Sequence, residues 1–123
     1  MPNQALSDLI VFLEKTAADV KRLEAEAEIL IQSEGQIAFQ TKVEDKAEIL
    51  AALGEKAWRL TERIEGELSN EIARKLEQFS MSASAALRIG SVFFMTALLY
   101  PEDHKPGEPN DLEVLIQDLK GKV

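Results

Sequence analysis

The sequence predicts an all-α protein, an antiparallel bundle of three long helices followed by a short C-terminal helix. Apolar residues recur at helical spacing over most of the chain, and the residues that favour helix (Ala, Leu, Glu and Lys) dominate its first part. Six glycines and four prolines are few for a protein built from many strands and turns. The 123 residues are enough for one domain with a modest core, so we expect a single domain over residues 1–123.

The first helix is predicted over residues 4–33, with Asn3 as its N-cap and Gly35 as its stop. Apolar positions repeat every seven residues along it, widened by further apolar neighbours to a stripe of the bundle type. The two repeating positions hold Leu6, Leu13, Val20 and Ala27, and Leu9, Thr16, Leu23 and Leu30.

The second helix is predicted over residues 41–65. Thr41 and Glu44 fit a capping box, in which each side chain accepts from the backbone amide of the other residue. The apolar periodicity runs on past the end of this helix, so its boundary is ambiguous. A break at Gly66 is preferred because it gives three helices of similar length, and a break at Ser80–Ser84 is the alternative.

The third helix is predicted over residues 69–100, ending at Tyr100 because Pro101 disfavours α geometry in the residue before it. A fourth helix is predicted over residues 111–120, between Asn110 with Glu113 at its start and Gly121 at its end. A helix of this length is marginal in water, so we expect it to dock on another element.

Met81–Tyr100 is the most informative segment. Its uninterrupted apolar part is shorter than the roughly 20 residues of a membrane-spanning helix, and Arg88 lies inside the segment, so we expect a buried helix and no membrane span. Large apolar side chains surround this helix and leave no face for water, so the segment should be covered. The fourth helix has a complementary apolar face, and we expect it to cover the segment unless an amphipathic helix of a partner protein replaces it. The predicted partner-binding residues are Val92, Phe93, Phe94, Met95, Leu98, Leu99, Leu112, Leu115, Ile116 and Leu119.

Charge and cysteine content narrow the classes of partner. A formal net charge of −8 disfavours nucleic acid and anionic membrane surfaces. The absence of cysteine removes disulfides, thiolate catalysis and cysteine-ligated zinc, and it fits a reducing compartment, so we expect a cytoplasmic protein.

No catalytic motif is recognisable, and we expect neither a cofactor, nor a metal site, nor enzymatic activity. The single histidine, His104, is interpreted as a solvated loop residue, and Trp58 as packing at the edge of the core.

Two alternatives to a protein-binding module stay open. One is a structural homo-oligomer, a homodimer included. The other is a Mg²⁺-dependent all-α nucleotide pyrophosphohydrolase, because such enzymes use paired acidic motifs and glutamates cluster at Glu24, Glu26 and Glu28 and at Glu62, Glu65 and Glu67. Interleaved basic residues favour a solvated charged face at these clusters.

The pattern resembles the FlgN-type flagellar export chaperones. The resemblance lies in Leu23-x-x-x-Ala27-x-x-Leu30 on the long leading helix, then Lys46-Ala47-Glu48-Ile49-Leu50-x-x-Leu53 after a short connector, then a third helix. It extends over roughly residues 5–100. It implies a small helical bacterial protein that binds hook–filament junction proteins before their secretion, through a client segment that becomes helical on the apolar surface.

Overall fold

The computed structural model describes the backbone of residues 2–123 and the side chains from Gln4 onward. This part of the chain contains helices and no strand, which confirms the all-α class. Its six helices are α1 (Pro2–Ser33), α2 (Gln36–Ala51), α3 (Leu53–Glu62), α4 (Glu67–Ile89), α5 (Val92–Ala97) and α6 (Asp111–Lys120). The predicted cap Asn3 lies outside the residues whose side chains are described.

The capping box predicted at Thr41 is wrong, because α2 begins at Gln36. Gly35, at φ 91°, turns the chain between α1 and α2, and its carbonyl oxygen already accepts from the amide of Phe39. Thr41 therefore lies inside α2, where its hydroxyl donates to the carbonyl oxygen of Ile37 at 3.1 Å. A threonine within a helix commonly bonds in this way to the preceding turn.

The predicted second helix is divided at Ala52 into α2 and α3. In an unbroken helix the amide of Gly54 would donate to the carbonyl oxygen of Leu50. Here the Oγ of Ser80, on α4, accepts from Gly54 and donates to Leu50, both at 2.9 Å. A side chain inserted into the helical hydrogen-bond ladder is a known cause of a kink, and it divides this helix.

The next break falls at Gly66, the position preferred from the sequence. Gly66 has φ 81° and ψ −163°, a conformation that is nearly confined to glycine, and it is the N-cap of α4. From Glu67 the helix runs without a break through Ser80 and Ser84 to Ile89. The alternative break at Ser80–Ser84 is therefore wrong.

The prediction of one helix reaching Tyr100 is also wrong. Gly90 takes the left-handed conformation, at φ 73°, and the amides of Gly90 and Ser91 both donate to the carbonyl oxygen of Ala86. This pattern ends α4. Ser91 then starts α5 by accepting from the amide of Phe94 at 3.1 Å. By contrast, α6 begins as predicted, with the capping box of Asn110 and Glu113, and Gly121 is its C-cap.

The helices α2 and α3 form the centre of the fold and run antiparallel to both α1 and α4. Asp8 of α1 pairs with Arg63 just beyond α3 at 3.1 Å, whereas Glu24 pairs with Lys46 of α2 at 3.0 Å. Over the described residues the backbones of α1 and α4 do not approach each other. The short helices lie apart, α5 on α2 and α4, and α6 on α1.

Apart from Leu23, the buried apolar residues form one cluster that includes residues of all six helices. Its most deeply buried members include Leu9, Leu13 and Val20 of α1 and Ala47, Leu50 and Leu53 of α2 and α3. Within residues 2–123, no helix has the combination of length and apolarity needed to cross a membrane.

Candidate functional site

The short helix α5 lies between two residues with positive φ. Gly90 precedes it at φ 73°, and Leu99 follows it at φ 75°. Positive φ is uncommon for a bulky residue such as leucine and costs roughly 1–2 kcal/mol. The carbonyl oxygen of Leu99 accepts from the amide of Asp111 at 2.9 Å, so the same residue holds the start of α6. The apolar segment therefore turns sharply at both ends of α5.

One side of α5 is buried and the other faces solvent. Met95, Leu98 and Leu99 are buried in the core, whereas Phe93 and Phe94 are 75% and 51% exposed. The expectation that the whole segment is covered is therefore wrong for these two phenylalanines. The reason is geometric: α5 lies on the surface of α2 and α4, and no described element packs against its outer side.

A groove runs between the end of α4 and α5. It has a volume of about 430 Å³. Most of its lining is apolar, and it is formed by Ser82, Ala85, Ala86, Ile89, Phe94, Ala97, Leu98, Leu99, Tyr100, Pro101 and Asp111. Ile89 is 67% exposed, and the rings of Phe93 and Phe94 meet edge to face with their centroids 5.7 Å apart. The name α4–α5 groove is used for this groove together with the exposed side chains of Ile89, Phe93 and Phe94.

The C-terminal helix does not cover this groove. Its apolar face, Leu112, Leu115, Ile116 and Leu119, is buried as expected, but against α1. Two partly exposed ion pairs lie beside this apolar contact, Lys120 with Glu14 at 2.7 Å and Glu113 with Lys21 at 3.6 Å. The ten predicted partner-binding residues thus fall into two groups whose helices, α5 and α6, pack on different neighbours, and the prediction that α6 packs on α5 is wrong.

A buried lysine anchors α5 to the rest of the fold. Lys46 is 1% exposed, and its Nζ donates to the carbonyl oxygen of Thr96, in the last turn of α5, at 3.0 Å. The same Nζ lies 3.0 Å from the Oε2 of Glu24 and 5.1 Å from the centre of the Tyr100 ring. The hydroxyl of Tyr100 donates to Glu24 at 2.7 Å. These contacts join α1, α2 and both ends of the turn after α5.

Sequence reasoning missed the role of Lys46, although a signal was present. Val43, Lys46, Ala47 and Leu50 follow one another at helical spacing, and all four are buried. A single lysine in the apolar stripe of a helix indicates that an anionic or carbonyl partner lies opposite. The partner itself was not predictable, because Thr96 lies fifty positions further along the chain.

Burial changes the ionisation of the groups beneath the groove. It lowers the pKa of Lys46 below its ordinary value, although Glu24 acts in the opposite direction. It raises the pKa of Tyr100 far above its ordinary value, and the hydrogen bond to Glu24 adds to this shift. At the edge of the groove, burial raises the pKa of Asp111. The phenol of Tyr100 is therefore neutral at neutral pH, and both its hydroxyl and the Nζ of Lys46 bond directly to the carboxylate of Glu24.

Two of the glutamates considered for a magnesium site, Glu24 and Glu26, form ion pairs with lysines. Glu24 binds Lys46, and Glu26 lies 3.0 Å from Lys42, whose hydrogen bond lowers the pKa of Glu26. Among the described residues, no three histidine or carboxylate side chains are grouped so that they could hold a metal ion. His104 is half-buried, with its ring edge-on to Tyr100 at 4.9 Å.

Two further apolar features are exposed. Trp58 is interpreted from the sequence as packing at the edge of the core, but 54% of its surface is exposed, so less than half of the residue is packed. It lines a second groove between α3 and α4. The hairpin between α1 and α2 exposes Ile29, Ile31 and Ile37, in a stretch with no buried residue from Glu28 to Lys42.

Comparison with known proteins finds no family model, no curated protein and no solved structure that matches this chain.

Proposed function

We propose that this chain is a non-catalytic protein-binding module that holds an amphipathic helix of another protein in the α4–α5 groove. The observation that carries the proposal is the exposure of Phe93, Phe94 and Ile89 around an apolar groove of about 430 Å³. Clustered exposed apolar residues beside a concave surface are typical of interaction sites.

The energetics favour occupation of the groove. Covering a phenylalanine or isoleucine contributes about 1.5–3 kcal/mol per side chain. The three exposed side chains therefore contribute several kcal/mol, against which the loss of translational and rotational freedom must be set. The gain and this loss are of similar size, so the affinity also depends on the contacts of the ligand with the rest of the groove lining.

The shape of the groove and the net charge of the protein indicate which kind of ligand it would bind. A groove between two helices accepts an amphipathic helix whose apolar side chains recur every three or four residues. The net charge of −8 favours a ligand with basic residues beside this apolar face, because long-range attraction speeds its association.

The finer proposal is a cytoplasmic bacterial export chaperone for flagellar hook–filament junction proteins. Its support is the resemblance to the FlgN-type chaperones. Leu23, Ala27, Ala47, Leu50 and Leu53, which carry much of that resemblance, are all buried. The resemblance therefore concerns the helical frame, and the α4–α5 groove supplies the separate argument for binding.

Two alternatives remain distinguishable. In a structural homo-oligomer, a second copy would cover Phe93 and Phe94, but two chains of charge −8 repel each other, which disfavours this arrangement. Light scattering over a dilution series tests for such an oligomer.

The second alternative, the nucleotide hydrolase, needs glutamates that are free to bind Mg²⁺, and the pairing of Glu24 and Glu26 with lysines argues against it. A rise in Tm with Mg²⁺ and a nucleoside triphosphate would support that alternative.

A photo-crosslinking experiment tests the location of the binding surface. A photoreactive amino acid replaces Phe93 in one variant and Ile37, in the α1–α2 hairpin, in a control variant expressed in the source cells. Ile37 is 83% exposed, so both positions are equally open to random collision. We expect a discrete crosslinked protein at position 93 and none at position 37. The reverse pattern would overturn the assignment of the groove.

An affinity measurement then tests the mechanism and the finer proposal. Purified hook–filament junction proteins are titrated into the wild type, into Phe93→Ser/Phe94→Ser and into the control Ile37→Ser. We expect binding by the wild type and the control, and at least a tenfold weaker affinity for the double variant, since two apolar anchors are lost. Absence of binding to these proteins, with crosslinking still at position 93, would reject the chaperone proposal but keep the binding module.

A further inference from the structure

The groove between α3 and α4 has a chemistry different from that of the α4–α5 groove. Its volume is about 420 Å³. Small and apolar residues make its floor, among them Ala51, Ala73 and Leu76. Trp58 borders it with more than half of its surface exposed, and the two charged residues in its lining, Glu55 and Glu77, are both acidic.

Two serines of α4 hold this groove in shape. At one end Ser80 bridges the amide of Gly54 and the carbonyl oxygen of Leu50. At the other end Ser69 donates to the carbonyl oxygen of Thr61 at 3.0 Å. A Cβ on Gly54 would lie 3.2 Å from the Oγ of Ser80, so the glycine permits this close approach of α3 and α4. These bonds hold the backbones of α3 and α4 together at both ends of the groove.

We propose that this groove binds the side chain of an arginine from a partner peptide. A guanidinium group stacks on the face of an indole and donates to carboxylates in the same plane, while its methylene stem packs on apolar surface. Trp58 is available for the stacking contact. Glu55 and Glu77 are available as the carboxylates, and the apolar floor is available for the methylene stem. A lysine fits less well, since its ammonium group is not planar and is more strongly hydrated.

The site is separate from the proposed helix-binding groove and does not depend on it. Successive residues of an α-helix are about 100° apart around its axis. Ala73, Glu77 and Ser80 therefore lie on one side of α4, whereas Ala85 and Ile89 lie on the opposite side. The buried stripe of α4 runs between them, so one straight helical ligand does not fill both grooves.

The fluorescence of Trp58 provides a direct test, because it is the only tryptophan in the chain. The probe is N-acetylarginine amide, and the control ligand is N-acetylcitrulline amide, which has nearly the same shape without the charge. We expect saturable arginine-dependent quenching, with citrulline binding at least about fivefold more weakly. Glu55→Gln/Glu77→Gln should weaken arginine binding by about tenfold. Glu71→Gln, at an exposed position of α4 outside the groove, should leave it unchanged.

Amide chemical shifts of the wild type on titration with the same probe locate the site independently. We expect the largest changes at Gly54 and its neighbours. Equal binding of citrulline and arginine would overturn the proposal, as would unchanged binding by Glu55→Gln/Glu77→Gln or shift changes confined to other surfaces.

Discussion

The Nζ of Lys46 lies 3.0 Å from a carboxylate oxygen of Glu24, and the lysine side chain is almost completely buried. A buried ammonium is costly unless it is paired and hydrogen-bonded. Here Glu24 supplies the counter-charge, and the carbonyl oxygen of Thr96 accepts a second hydrogen bond at 3.0 Å. The partial negative charge at the C-terminal end of a helix adds to this attraction. The ion pair between α1 and α2 thereby determines where α5, with its exposed phenylalanines, is held.

Lys46→Met should lower the free energy of unfolding by about 2–3 kcal/mol. The substitution keeps an apolar stem but removes the counter-charge of Glu24, whose Oε2 loses its donor, and leaves the carbonyl oxygen of Thr96 without a side-chain donor. Urea unfolding measures the change. Lys42→Met, which removes the more exposed pair with Glu26, should cost less than about 1 kcal/mol. Adding Glu24→Gln to Lys46→Met should recover part of the loss. Equal effects of the two lysine substitutions would contradict the anchoring role.

Tyr100 should remain protonated in the folded protein well above pH 10. Its pKa is higher in the folded than in the unfolded chain, because burial and the Glu24 carboxylate both oppose formation of tyrosinate. The folded state therefore holds this proton more tightly. The associated stability is complete below the unfolded pKa, near 10, and is lost as the pH rises above it toward the folded pKa. Tyr100 is the only tyrosine, so the ultraviolet absorbance of tyrosinate reports it alone.

Two variants control the titration of Tyr100. Glu24→Gln should lower its pKa, since the amide still accepts the hydrogen bond but carries no negative charge. Glu26→Gln should leave the titration unchanged, because Glu26 is paired with Lys42 away from the phenol. Formation of tyrosinate near pH 10, while circular dichroism still shows the native helices, would refute the buried network.

Substitutions on the two sides of α5 should differ sharply in their effect on stability. Met95→Ala removes a side chain that is 2% exposed, and we expect a loss of about 2–4 kcal/mol. Phe93→Ala removes a larger side chain that is 75% exposed, and we expect a change within about 0.5 kcal/mol. Thermal and urea unfolding measure both. A loss above 2 kcal/mol for Phe93→Ala would mean that the ring is covered in the free protein, against the proposed binding surface.

The glycines that end and start α4 should tolerate alanine differently. No atom lies within 4 Å of a Cβ built on Gly66 or on Gly90, so the comparison isolates the backbone conformation. Gly90 is in the left-handed helical region, and Gly90→Ala should cost about 1 kcal/mol. Gly66, at φ 81° and ψ −163°, is in a region used almost only by glycine, and Gly66→Ala should cost about 2–3 kcal/mol. Chemical unfolding of the two variants checks the order, and a smaller loss at Gly66 would contradict it.

The helical class, the break at Gly66 and the start of α6 were predictable because each rests on local information. Apolar periodicity and composition identify helices, and Asn110 with Glu113 form a cap within a few residues of each other. The prediction of a capping box at Thr41 was wrong because local information was not sufficient there. The same capping pattern was present, but the turn at Gly35 had already started α2, and a local signal does not show which of two neighbouring starts the chain uses.

The binding surface required knowledge of distant contacts. A run of apolar residues from Ile89 to Tyr100 indicates burial, but it does not indicate that Gly90 and Leu99 turn the chain and divide the run into an inner and an outer side. The apolar face of α6 predicted docking, and docking occurs, but the helix that receives this face is α1, which local sequence does not indicate.

The sequence alone therefore determined that this protein is helical, that it is acidic, and where α1 ends, where the chain breaks at Gly66 and where α6 begins and ends, because these properties depend on neighbouring residues. Only the tertiary structure decided which apolar side chains face water. That choice depends on pairs far apart in the chain, such as Lys46 with Thr96 and Ser80 with Gly54, whose energies depend on the completed packing.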